Sequence, residues 1–208
     1  AEWPADVGST LKLCVYGPDP FGAELDKFQG RSVGGRSLVI RRVNGVDIDV
    51  AVLTNVTHEH LDFHRTWEDY RLAKARLFQM AAASTRKPGV PKCAVINADD
   101  PSAEWFRQVA RGVDCVLAYS LDPMSVVPVD VRAEDISYEP SATRLVVVGP
   151  NVRQHVESAL VGAFNAANTL AAAAAGCALL GDDSERLRAA IYDGVRTLPP
   201  IPGRDLQG

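Results

Sequence analysis

The sequence lacks the features that identify several common classes of protein. Its net charge is −4 and no run of lysine and arginine occurs, so it has no basic surface for nucleic acid. The longest apolar run, residues 170–180, is shorter than the ~20 residues of a transmembrane helix. The N-terminus shows no basic-then-apolar signal pattern. A small anionic ligand could still bind through a few well-placed groups.

Cysteine is also scarce, and its spacing excludes two kinds of site. The four cysteines are scattered, with no Cys-x-x-Cys pair, which argues against a thiolate zinc site and against a disulfide framework. We therefore expect buried free thiols in a reducing cytoplasm. They are Cys14, Cys93, Cys115 and Cys177.

From residue 38 onward, short apolar runs alternate with helical segments. We predict strands over residues 38–43, 50–53, 93–97 and 114–119, and helices over 65–83, after 101, over 165–180 and from 184. Residues 121–161 are β-rich without a long helix, which predicts antiparallel strands at a sheet edge. The fold class is therefore α/β: a mostly parallel layered sheet flanked by helices, with added antiparallel edge strands.

The same patterns divide the chain into three parts. Residues 1–36 have an irregular or degenerate pattern, and residues 37–198 read as one domain. Residues 199–208 begin with Pro-Pro-Ile-Pro-Gly, as an interdomain hinge would. We expect that hinge to lead to a further, C-terminal domain.

Polar chemistry is concentrated directly after the apolar run 50–53. Residues 54–64 contain three of the four histidines and two carboxylates, the usual components of a cation or acid–base site where a strand opens into a loop. Lys74 follows in the predicted helix. Asp99 and Asp100 precede Pro101, and either capping of the next helix or a ligand contact would explain them.

Five sequence blocks, in this order, resemble the central domain of the Mur ligases, above all of those members that add the third residue of the stem peptide. They are DVAVLTN running into HLDFH at 49–64, EDY…AKARLF at 68–78, VINADDP at 95–101, LVGAFNAANTLAA at 160–172 and PGR at 202–204. The resemblance covers roughly residues 38–204. It implies an ATP-dependent, amide-forming ligase of peptidoglycan precursor synthesis, cytoplasmic, with UDP-MurNAc-peptide as the substrate class.

That resemblance also implies roles for individual residues. His60 would bind the second magnesium ion, and Lys74 would be a carbamylated lysine, catalytic and bound to the same ion. A carbamate suits Mg²⁺ because this ion prefers oxygen ligands. The residues that would bind the ATP cofactor are Asn97, Asn165 and Asn168, the last two against the adenine, and Arg204 from the hinge. Asn165 and Asn168 share a helix face, so an N-cap plus one surface asparagine also explains them.

Two departures from the family pattern predict that this polypeptide is inactive alone. The family's phosphate-binding loop, Gly-x-x-Gly-Lys-Thr/Ser, is absent from the 208 residues, although its backbone N–H groups and lysine would cradle the phosphates. Where the family has Glu-Val-Ser-Ser-His, with the glutamate on magnesium, residues 32–36 read Ser-Val-Gly-Gly-Arg.

Two alternative functions stay open on the sequence. The missing phosphate loop also fits a non-catalytic scaffold or interaction module. The spacing His58-x-His60-x-Asp62-x-His64 is similar to the loop of metal-dependent hydrolases, in which paired zinc ions activate a water molecule.

Overall fold

The chain divides into two compact units, Ala1–Asp47 and Ile48–Gly208. A computed structural model describes residues 10–16, 23–33, 35–43, 47–56, 66–125, 127–181 and 183–198. The break between the units follows residue 47, whereas the sequence pattern places a boundary after residue 36. His60 and Arg204 lie outside the described residues, as do the other side chains of the loop 57–65.

The first unit is a small sheet. Strand β1 (Thr10–Tyr16) pairs in parallel with β3 (Arg36–Val43), and β2 (Ser32–Val33) pairs with β3 in antiparallel orientation. A short helix, α1 (Ala23–Asp26), lies between β1 and β2 in the chain. The sequence pattern predicts irregular structure before residue 37. Strand β1 nevertheless forms there because it pairs with β3. A local pattern misses it, since the partner strand is more than twenty residues away in the sequence.

The second unit is built on a six-stranded sheet in the order β4-β5-β6-β7-β8-β9. The first four strands run parallel and the last three form antiparallel pairs, which confirms the predicted fold class. The strands are β4 (Val50–Leu53), β5 (Cys93–Asn97), β6 (Cys115–Ser120), β7 (Val131–Glu139), β8 (Ala142–Gly149) and β9 (Val152–Ser158).

Four helices cover the two faces of this sheet. They are α2 (Trp67–Ala83), α3 (Ala103–Val109), α4 (Ala163–Leu180) and α5 (Ser184–Arg196). The predicted N-cap of α2 is confirmed, since Thr66 Oγ1 accepts a hydrogen bond from the Asp69 N–H at 3.1 Å. Asp183 caps α5 in the same way, accepting from the Arg186 N–H at 2.9 Å. Both caps satisfy N–H groups that a helix start leaves unpaired.

Alternation along β5 shows how the layers are built. Ala94 and Ile96 pack with α2 and α3, whereas Val95 packs with α4 and α5. All three side chains are fully buried, as expected for a parallel strand covered on both faces. On the α2–α3 side, the rings of Phe78 and Phe106 meet at 5.4 Å between centroids. The sheet therefore has a separate apolar core on each side.

Helix α4 is the one described helix that is long and apolar enough, by length and composition, to cross a membrane. In the structure it is a core helix, and Leu170 and Ala174 on it are fully buried. It contacts strands β4 to β8 and helix α5. Its apolar composition is explained by this packing between the sheet and a second helix.

The cysteine prediction is wrong for one pair. Cys93 and Cys115 form a disulfide in the structure, whereas Cys177 is a buried free thiol. The two bonded cysteines are paired residues on the adjacent strands β5 and β6, with their Cα atoms 4.7 Å apart. Their separation of 22 residues hid this proximity, which only the strand register creates.

Candidate functional site

Three parallel strands end side by side and bring polar groups to one edge of the sheet. Strands β4, β5 and β6 are adjacent and parallel, so the residues that follow them lie at the same carboxyl edge. In open α/β sheets this edge is the usual place for a ligand. The described residues there include the segment 53–56 and the turn 97–102.

The segment 53–56, which leads out of β4, is held by side chains from its neighbours. Asn97 Nδ2 donates to the carbonyl of Thr54 at 2.7 Å, and Asp100 Oδ2 accepts from the N–H of Val56 at 2.5 Å. Tyr119 Oη lies 3.4 Å from the carbonyl oxygen of Leu53. The chain is thereby fixed immediately before the histidine-containing loop.

Lys74 reaches the same segment from helix α2. Its Nζ donates a hydrogen bond to the backbone carbonyl of Asn55 and lies 4.7 Å from the centre of the Tyr70 ring, a cation–π distance. An ammonium group donates hydrogen bonds but cannot bind a metal. Conversion to a carbamate would supply oxygen ligands and keep one N–H for the Asn55 carbonyl.

Electrostatics at this edge keep Tyr119 neutral. Burial raises the pKa of the Tyr119 phenol well above its usual range, and the negative charges of Asp99 and Asp100 raise it further. Desolvation and like-signed charge both disfavour the phenolate. The phenol therefore remains a hydrogen-bond donor, directed at the Leu53 carbonyl.

Asp99 and Asp100 have different environments although they are neighbours in the sequence. Asp99 is exposed and accepts hydrogen bonds from the Ser120 hydroxyl and, at 2.9 Å, from the Leu121 N–H. Asp100 is 7% exposed, and its Oδ1 accepts from the Ser102 N–H at 2.7 Å. Asp100 thus joins the start of α3 to the segment after β4.

Asn165 and Asn168 lie at the beginning of α4 and line one cavity of about 300 Å³ between α4 and α5. Their placement on one helix face agrees with the sequence prediction. Asn165 Nδ2 donates to the Val161 carbonyl at 2.7 Å. The rest of the lining is mostly apolar: Leu160, Thr169, Ala172, Ala173, Gly176, Ala190, Ile191, Gly194, Val195 and Leu198. A flat, weakly polar group suits such a cavity.

Some of the predicted metal-binding and cofactor-binding residues lie outside the described residues, and others lie within them. Among the described residues, no group of three or more His, Cys, Asp and Glu side chains could hold a metal ion. His60, the whole His58-x-His60-x-Asp62-x-His64 spacing and Arg204 lie outside the described residues. Asn97 uses both polar atoms within the chain, since its Oδ1 accepts from the Asp99 N–H at 3.0 Å. Its cofactor role stays a prediction.

Sequence reasoning missed two parts of this edge. Tyr119 stands in an apolar strand pattern and reads as a core residue, and the bridge made by Asp100 depends on backbone partners far away in the sequence. The signal for Asp100 was its place after a strand and before a helix, which indicated a cap or a contact without naming the partner.

The sheet, its two helical layers and its polar carboxyl edge define an α/β domain of the kind that binds small ligands at its strand ends. Residues 33–176 match the Mur ligase middle domain. The chain belongs to the Mur ligase family and comprises its middle domain.

Individual relatives agree with this membership. A UDP-N-acetylmuramoyl-L-alanyl-D-glutamate–2,6-diaminopimelate ligase of Bacillus velezensis is 40% identical over 146 residues, which are 70% of this chain and 28% of the relative. A solved structure of a ligase of that name is 31% identical, covers 82% of this chain and 34% of its own, and has a TM-score of 0.60. MurF from Acinetobacter baumannii is 18% identical over 82% of this chain and 35% of its own, with a TM-score of 0.58, and shares the fold.

The chain spans about a third of the length of the curated relatives it matches. It covers 28% of one of them and 39% of another. The relatives therefore contain further parts that these residues do not match.

Proposed function

We propose that this chain is the nucleotide-binding part of a cytoplasmic, ATP-dependent ligase that adds 2,6-diaminopimelate to UDP-N-acetylmuramoyl-L-alanyl-D-glutamate. The substrate is taken from the names of the relatives. The observation that carries the proposal is the position of Lys74: its amine is held on the Asn55 carbonyl at the carboxyl edge of the sheet. The family resemblance assigns a carbamylated lysine to this residue.

Lys74 would act as a carbamate. Carbon dioxide adds to the neutral amine, a proton leaves, and the product keeps one N–H on Nζ. That N–H could still donate to Asn55, so the existing contact would orient the carbamate oxygens. His60, in the loop that follows the segment 53–56, would be the second protein group at the ion. Magnesium bound there with ATP would neutralise charge on the transferred phosphoryl group.

Asn165 and Asn168 would bind the base of the nucleotide. Both line the cavity between α4 and α5, whose apolar walls suit a planar ring and whose asparagines supply amide groups for its edge. The residues present therefore fit the nucleoside end of ATP. For the phosphate end, the 208 residues lack the Gly-x-x-Gly-Lys-Thr/Ser loop, and we propose that this polypeptide alone does not catalyse ligation.

Calorimetric titration of the chain with Mg-ATP tests the proposal. We expect saturable binding that weakens by about tenfold or more in His60→Ala and in Lys74→Arg, since the first change removes the imidazole and the second the carbamate that would hold the magnesium ion. Arginine keeps a donor for Asn55 but cannot form a carbamate. The matched control is Lys87→Arg, because Lys87 pairs with Asp49 at the opposite end of the sheet. No heat at millimolar Mg-ATP, or equal binding by all variants, would refute the proposal.

A further inference from the structure

The last residue of β4 and the three residues that follow it each have one backbone group hydrogen-bonded to a side chain of another element. The partners come from α2, from the end of β5, from the turn before α3 and from β6. They are Tyr119 on Leu53, Asn97 on Thr54, Lys74 on Asn55 and Asp100 on Val56. Outside regular structure such backbone groups commonly bind water instead.

Asp100 is the most constrained of these partners. It is 7% exposed, and its two carboxylate oxygens accept from two backbone N–H groups, Val56 at 2.5 Å and Ser102 at 2.7 Å. Both bonds require an acceptor, and the carboxyl group has an oxygen for each of them. The bridge ties the segment 53–56 to the start of α3.

We infer that Asp100 is a positioning residue for Lys74. The Val56 N–H and the Asn55 carbonyl belong to the same planar peptide unit. By accepting a hydrogen bond from this N–H, Asp100 sets the orientation of the carbonyl that receives the Lys74 amine. Asn97 acts with it from the other side of Asn55, through the Thr54 carbonyl. The inference deepens the proposed function and rests on it for the role of Lys74, whereas the positioning itself concerns only contacts within the chain.

The test is Asp100→Asn, with Asp99→Asn as the matched control. An amide in place of Asp100 keeps the size but loses one acceptor. Asp99 bears the same carboxylate one residue earlier, and its hydrogen bonds go to Ser120 and Leu121 instead. Three readouts are taken: hydrogen exchange of the Val56 amide, the ¹⁵N-detected NMR signal of the Lys74 side-chain amine (assigned by its loss in Lys74→Arg), and Mg-ATP titration.

In Asp100→Asn, Val56 exchange should accelerate by about tenfold or more, the loss expected for a charge-assisted bond. The Lys74 amine signal should shift or broaden beyond detection, and Mg-ATP affinity should fall. The control should leave the first two readouts at their wild-type values. Faster exchange at Val56 with an unchanged Lys74 signal would overturn the inference, because Asp100 would then be structural only. Equal effects from both variants would overturn it as well.

Two further outcomes keep the inference separable from the proposed function. If the wild-type chain binds no Mg-ATP, the proposed function fails, and the two NMR readouts still decide whether Asp100 positions Lys74. If Asp100→Asn does not fold, Asn97→Asp replaces it: this variant loses the donor to Thr54 but retains an acceptor for Asp99. The same shift of the Lys74 signal is expected there, and its absence would refute the positioning.

Discussion

Thr143 provides a sharp test of how α4 and its two asparagines are held in place. Thr143 is fully buried on β8, and its Oγ1 accepts from the N–H of Gly162 at 3.1 Å. Gly162 directly precedes α4, has a φ of 99° and offers no side-chain cap. The hydroxyl of Thr143 is therefore a main attachment of the helix start that carries Asn165.

Thr143→Val removes this acceptor without changing the shape of the side chain. An unpaired Gly162 N–H costs about 1–3 kcal/mol, and the added buried methyl group offsets up to about 0.8 kcal/mol. The net loss is about 0.2–3 kcal/mol and centres on about 1.5 kcal/mol, or about 3–6 °C in Tm for a chain of this size. Thr143→Ser keeps the hydroxyl and loses a methyl group, so it should cost about 1 kcal/mol.

Urea unfolding and nucleotide titration together separate the two variants. Their stabilities should be similar, but only Thr143→Val should weaken Mg-ATP binding, because only it releases the residue before α4. A valine variant as stable as the wild type would show that the bond contributes nothing. Equal losses of affinity in both variants would show that Thr143 acts through packing. The stability comparison remains valid even if the chain binds no nucleotide.

Two other predictions concern the opposite, amino edge of the sheet. The disulfide between Cys93 and Cys115 joins residues separated by 22 positions. Reducing it should lower the free energy of unfolding by about 3 kcal/mol. Four reactive thiols in the denatured, unreduced chain would refute the pairing. The pKa of Asp114 is lowered, first by the Arg86 guanidinium and then by the Lys92 N–H. Its contribution to stability should be complete above pH ~5 and lost as pH falls below about 3.9, so the unfolding curves of Asp114→Asn and wild type should converge there.

The fold could largely be predicted because the parallel strands and their helices are local patterns. The prediction is least complete at strand β7, where the pairing with β8 is irregular. Within the β-rich residues 121–161 the sequence gives no strand bounds, whereas the structure has a strand of nine residues, Val131–Glu139. Its register shifts between Glu134 and Ser137, and Asp135 between them has a φ of 51°. Such a bulge interrupts the two-residue alternation from which strands are predicted.

The sequence suggests site residues only where a side chain itself carries the chemistry, and their roles stay predictions. Lys74, Asn165 and Asn168 belong to sequence blocks in which the residue type is itself part of the family pattern. Asp100 and Thr143 escaped prediction because their partners are backbone N–H groups, which every residue but proline possesses. A sequence shows that an acceptor is present. It does not show which of many identical donors the fold will bring to it.

The two edges of the sheet are chemically different, and this has consequences for engineering the domain. At the amino edge, the fully buried Lys92 binds the Ile48 carbonyl at 3.0 Å and the Asp49 carboxylate at 2.9 Å, so charges pair with each other and stabilise the strand starts. At the carboxyl edge, side chains bind the backbone of neighbouring segments and set their position. The strand β5 between these edges has five residues, about 16 Å of extended chain, so the hydrogen bonds of Lys92 and those of Asp100 lie at opposite ends of the strand. A substitution of Lys92 should therefore change the free energy of unfolding without displacing the Lys74 side chain. A substitution of Asp100 should change the free energy of unfolding and also displace Lys74.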